Sequence, residues 1–169
     1  MKRPFVASLV AAGAFAVGGV ALAGTMQFRG HLETANEVPT PVNVVGTPSA
    51  VVKLKLAPDG QSVRYDLKVT DPIQNVLMAH LHMAPPGVTG PIVVWLYPSA
   101  PPAQLIPGET DGRLASGVIT VANLVGPLAG NWDGFVAALE NGGLYANVHT
   151  TANPPGEIRD QVQMHPGDD

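Results

Sequence analysis

The chain has 169 residues, a formal net charge of −4 and only 13% charged residues, where roughly 25% is usual. That length leaves room for one domain, and 46% hydrophobic residues exclude a disordered chain. Nineteen glycines and seventeen prolines argue against a helical bundle, because both residues break helices.

The absence of cysteine excludes disulfides, cysteine-held metals and thiol nucleophiles. A negative balance without basic runs argues against a nucleic-acid partner. At the start, Lys2 and Arg3 precede an uncharged run that ends at Ala21-Leu22-Ala23, the order of a secretory signal peptide. The run is broken by glycines and barely reaches the roughly 20 residues that spanning needs, so no membrane span is expected after cleavage. The expected division is a signal peptide over 1–23 and one β-sandwich domain over 24–169, secreted or periplasmic. Without Lys2 and Arg3, seven cations face thirteen acids, a net of −6.

Val51 to Leu56 alternates, with Val52, Leu54 and Leu56 on one face and Lys53 and Lys55 on the other, the period of a half-buried strand. After the turn Ala57-Pro58-Asp59-Gly60, residues Ser62 to Val69 alternate again, and the two strands form a hairpin. Asp71-Pro72 is expected to stop the second strand. Val76 to His82 begins a third, ended by Pro85-Pro86-Gly87. Ile92 to Tyr97 is apolar throughout and reads as a strand buried on both faces. Gly112 to Thr120 follows a proline-rich loop. Asn131 can cap a short helix over Trp132 to Glu140, with Phe135, Val136 and Leu139 as its apolar stripe and Gly142 as its stop. Leu144 to Thr150 and Glu157 to Met164 complete the strands. The pattern predicts an all-β fold, an antiparallel Greek-key β-sandwich or barrel with one short helix.

With no cysteine present, histidine is the residue type best suited to hold a soft metal. On a strand, residues i and i+2 share a face, so His80 and His82 project together, roughly 6 to 7 Å apart at the backbone. His149, on a strand with Tyr145 and Asn147 on its face, can supply a third imidazole. Such a set suits copper or zinc, and copper is favoured by the divalent affinity order. Each histidine also has a plainer reading as a polar residue of a sheet face. His31 reads as a fourth ligand or a surface residue, and His165 as part of a solvated tail. Met83 points away from both His80 and His82 and is expected to pack in the core.

Three blocks resemble the chordin-type (CHRD) domain family: Asn36-Glu37-Val38-Pro39; Ala79-His80-Leu81-His82 with Gly87, Gly90, Pro91 and Ile92-Val93-Val94; and Tyr145 to Thr150 followed by Asn153-Pro154 and Gly156-Glu157-Ile158-Arg159. Together they span about Phe28 to Met164. The resemblance implies a β-sandwich in an exported protein, and the family carries no single biochemical function.

More distantly, the chain resembles copper/zinc superoxide dismutases, which have an H-x-H strand, a later V-x-V-H-type strand and an arginine leading into the last strand. His80 and His82 match the first element, His149 the second and Arg159 the third. No histidine lies between His82 and His149, so the metal-bridging ligand and the zinc site are missing. The resemblance implies a mononuclear copper held by three histidines, with water, substrate or His31 in the fourth position. Superoxide would be the small-molecule substrate, and Arg159 would either guide that anion or pair with Glu157. The alternative is a non-catalytic copper-binding or protein-interaction module. No serine lies in a nucleophile-elbow context, and no glycine-rich loop opens a helix to cradle phosphate.

Overall fold

A computed structural model describes residues 25–166; the signal peptide expected over 1–23 lies outside the described residues. Among the described residues nine strands run as β1 (Gln27–Glu33), β2 (Ser49–Leu56), β3 (Val63–Gln74), β4 (Val76–Met83), β5 (Ile92–Tyr97), β6 (Glu109–Ile119), β7 (Leu144–Thr150), β8 (Ile158–Gln161) and β9 (Gln163–His165), with one α-helix, α1 (Trp132–Glu140), before β7. No helix among the described residues is long and apolar enough to cross a membrane.

The strands form a single antiparallel sheet in the order β5-β4-β7-β8-β1-β2-β3-β6, with β9 added on β1. Its two ends, β5 and β6, face each other because the sheet curls round its apolar side. Tyr65 on β3 helps close the gap. Its register partner on β6 is Gly117, which leaves room for the ring to lie across it, and the hydroxyl donates to the Leu96 carbonyl on β5 at 3.0 Å. With β5 beside β6, the strands β7, β4, β5 and β6 follow Greek-key order. The fold is therefore the all-β, barrel-like sheet that the alternation predicts.

The inner face is the core. Phe28 and Leu32 of β1, Leu54 of β2, Leu67 of β3, Leu81 of β4 and Leu144 of β7 are all at most 1% exposed, and a fully buried side chain of this size contributes roughly 1.5 to 3 kcal/mol. The helix stops one end of the barrel. Asn131 caps it by accepting from the Gly134 amide at 3.0 Å, Phe135 and Leu139 enter the core, and the Trp132 indole donates to Gly60 O in the β2–β3 turn at 2.6 Å. Met83 packs against the same core.

Four elements differ from expectation. β1 was not expected, because Gly30 interrupts the apolar alternation of Phe28 and Leu32; a side chain there would press on Gln161 O of β8 at 3.2 Å. β3 does not stop at Asp71-Pro72 but runs on to Gln74, since Pro72 falls where the β3–β6 pairing is already irregular between Val69 and Ile73 and no ladder hydrogen bond is forfeited. β5 is not buried on both faces, as Ile92, Trp95 and Tyr97 are only half-buried. The last expected strand is two short ones, and His165 is paired with Gln27 of β1 rather than lying in a loose tail.

Candidate metal centre

The outer face of β4, β7 and β8 is polar in sequence and buried in space. On β4, Ala79 and Leu81 turn into the core, so His80 and His82 turn outward together. On β7, Ala146 and Val148 turn inward, which puts Tyr145, Asn147 and His149 beside them. Pairing sets His80 opposite Asn147 and His82 opposite Tyr145 on one side, and Asn147 opposite Arg159 of β8 on the other. Loops from β1 to β2, from β4 to β5 and from β7 to β8 cover this layer, so that His80, His82 and His149 are 0%, 7% and 4% exposed.

The three histidines offer one ligand atom each, all within 4.8 Å of one another. His80 Nδ1 lies 3.0 Å from His149 Nε2, close to the separation of two nitrogens that each stand about 2.0 to 2.1 Å from one ion. Two of the rings are oriented by main-chain carbonyls. His82 Nδ1–H donates to Gly90 O at 2.9 Å and His149 Nδ1–H donates to Pro154 O at 2.9 Å, which makes Nε2 the unprotonated nitrogen of each ring, that of His149 facing His80 Nδ1. The Nε2 atoms of His80 and His82 are buried with no hydrogen-bond partner, a costly state for polar atoms that nothing else satisfies. A second row of protein groups that fixes ring orientation is the usual support of metal-ligating histidines.

Burial keeps all three rings neutral. His80 is pushed down to about 3 by burial, then by His149 and His82; His149 is pushed down to about 4, chiefly by burial; and His82 is lowered for the same first reason. Neutral imidazole is the form that binds a metal. The donor set thus fits a metal ion, which the three imidazoles would hold through nitrogen.

The surroundings are tied to this centre. The His82 ring stacks on Tyr145 with centroids 4.8 Å apart and planes 6° from parallel, and the Arg159 guanidinium lies 3.6 Å over the Tyr145 ring. Since β8 flanks β7 on the side away from β4, Tyr145 stands between Arg159 and His82. Arg159 donates to Val88 O at 3.0 Å, and its Nη1 has no partner. Glu157 makes no ion pair with Arg159; its carboxylate accepts from Thr150 Oγ1 and Asn153 Nδ2, bonds that shape the turn presenting Pro154 O to His149. Trp95 packs edge-on to His80 with centroids 4.2 Å apart.

Glu37, from the covering segment after β1, accepts from Asn147 Nδ2 at 2.6 Å and from the Val38 amide at 2.9 Å. Its carboxyl is nevertheless raised to about 7, because burial outweighs those bonds and the nearby Arg159.

His31 does not join the group. It is exposed on the outer face of β1, where alternation with the buried Leu32 places it, and its amide donates to Asp160. The groups that spacing alone could not find are Gly90, Pro154 and Val88, which act through carbonyls of irregular loops.

A family model described as the CHRD domain matches residues 28–162. No curated protein and no solved structure matches the chain.

Proposed function

The chain belongs to the CHRD domain family, and we propose that it is an exported copper-binding member that dismutates superoxide at His80, His82 and His149. The observation that carries this reading is the convergence of three buried, neutral imidazoles, two of them held by carbonyl bonds at Nδ1 in the tautomer that leaves Nε2 unprotonated. An all-imidazole set suits copper, which outranks zinc in the divalent affinity order. Copper supplies the one-electron chemistry by which one superoxide is oxidised to dioxygen while a second, taking up two protons from water, is reduced to hydrogen peroxide.

The protein's own residues have definite tasks in this scheme. Gly90 O and Pro154 O hold two rings in the ligating tautomer, and the covering loops exclude bulk water. Arg159 is the one cation of this buried layer. Its charge, one ring behind His82 and near the Glu37 carboxyl, is the point toward which an anion would be drawn in a protein of negative net charge, and such attraction raises an on-rate.

The near-complete burial of the histidines favours a second reading, a module that holds copper without turnover. Copper-loaded protein assayed for superoxide removal beside His80→Ala and His149→Ala decides between them. Fast turnover lost in both variants supports the dismutase; one copper per chain without turnover leaves a binding module. Replacing Arg159 by Gln lowers the rate and flattens its dependence on ionic strength, and an unchanged rate and salt slope would remove the steering role.

A further inference from the structure

Beyond Lys2 and Arg3 the chain has seven lysines and arginines. Arg159 lies in the buried layer; the other six, Arg29, Lys53, Lys55, Arg64, Lys68 and Arg113, all stand on the outer face of β1, β2, β3 and β6. Because a strand shows one face only every second residue, these cations are scattered in the sequence and no basic run announces them. Pairing gathers them. Arg29 lies opposite Lys53, Lys55 opposite Arg64, and Lys68 opposite Arg113. They line two adjoining furrows that share Lys53, Asp66 and Arg113.

The acids nearby do not cancel them. Asp66 pairs with Arg113 at 2.9 Å, the one ion pair among the described residues. Glu33, Asp71, Glu109 and Asp111 gather at one end of the face, Asp160 lies beside His31 at the β1 edge, and the end with Lys55 and Arg64 is left to the cations.

We propose that this face docks a linear polyanion, an acidic polysaccharide bearing carboxylate or sulfate groups. Cations on adjacent strands stand about 4.8 Å apart and those on one strand about 6.7 Å apart, so each anionic group along such a chain meets two or three of them. The sheet curls round the core, which makes its outer face convex. A plane of lipid head groups touches only a strip of a convex face, whereas a flexible chain follows the furrows. The aromatic residues of these strands, Phe28 and Tyr65, are buried, so the face has no platform on which nucleic-acid bases could stack. Recognition here is by charge alone and is independent of the metal centre.

The test is retention of the purified protein on immobilised polygalacturonate and on dextran sulfate, with neutral dextran as the control resin. Lys53→Gln with Lys55→Gln removes two charges from the face; Ser99→Glu with Gln104→Glu makes the same change in net charge at exposed sites elsewhere. Expected are salt-sensitive retention on the acidic resins only, affinity at least tenfold weaker in the first double variant, and less than twofold change in the second. Absence of retention, equal loss in both double variants, or tighter binding to phosphatidylserine vesicles or duplex DNA overturns the proposal.

Discussion

Both halves of the sheet alternate polar residues outward, yet those residues meet opposite environments. On β2 and β3, Lys53, Lys55, Arg64 and Lys68 stand in water. On β4, β7 and β8, His80, His82, Asn147, His149 and Arg159 lie beneath three loops, each at most 7% exposed. In water a polar side chain keeps its hydration and adds little to stability; under a roof it must find partners or be paid for by another interaction. Among the described residues three of the four unpartnered buried nitrogens, on His80, His82 and Arg159, lie on the roofed half, the fourth being Arg29 Nε on β1, and only on the roofed half do imidazoles converge, which is why the chemistry is assigned there.

The largest expected effect breaks one half and spares the other. His149→Ala lowers copper affinity more than about 100-fold, beyond the 10- to 100-fold typical of losing a group that only supports a ligand, while His31→Ala on the open half leaves it unchanged. Competition against a chelator of known affinity measures both. Equal losses in the two variants contradict the division.

Glycines give the next contrast. Gly156 has φ +144, and a Cβ there would overlap Glu37 Oε2 and Asn147 Nδ2, so Gly156→Ala costs about 3 kcal/mol from strain and crowding together. Gly60, at φ +68 in the open β2–β3 turn, has nothing within 4 Å of its Cβ position, so Gly60→Ala costs about 1 kcal/mol. Urea unfolding of the two variants should keep that order, and its reversal would mean that the roof yields easily.

A last contrast is in the pH dependence of the metal-free protein. His80 and His149, lowered from 6.5 to about 3 and about 4, make the unfolded chain the better proton binder, so stability falls as pH drops below 6.5. Glu37, raised from 4.5 to about 7, acts the other way: its contribution is full below 4.5 and is lost as pH rises through 7. Glu37→Gln removes that opposing trend, and the loss of stability between pH 7 and 4.5 becomes steeper. Urea midpoints at three pH values in that range test this, with parallel curves as the contrary result.

Much of this was legible because alternation is a local property. Ile92–Tyr97, Trp132–Glu140 with its Asn131 cap, and Leu144–Thr150 run between the residues that the pattern marks. The pairing of His80 with His82 on one face follows from the same period, and His149 joins them because β7 lies beside β4. β1 was hidden by Gly30, whose missing side chain serves a close approach of β8 and so erases the apolar mark. The roof was hidden for a deeper reason. Gly90 and Pro154 act through their carbonyls, and a carbonyl is common to every residue type. Likewise Glu157 turned from Arg159 to Thr150 and Asn153 because the loop after β7 folds back over it, a non-periodic event.

The most direct measurement is copper(II) titration of the purified protein followed by electron paramagnetic resonance, for the wild type and His80→Gln. The account predicts one copper per chain with hyperfine structure from three imidazole nitrogens, reduced to two and bound far more weakly in the variant. Copper bound at other stoichiometry, or a spectrum unaltered by His80→Gln, would contradict a three-histidine centre beneath the roof.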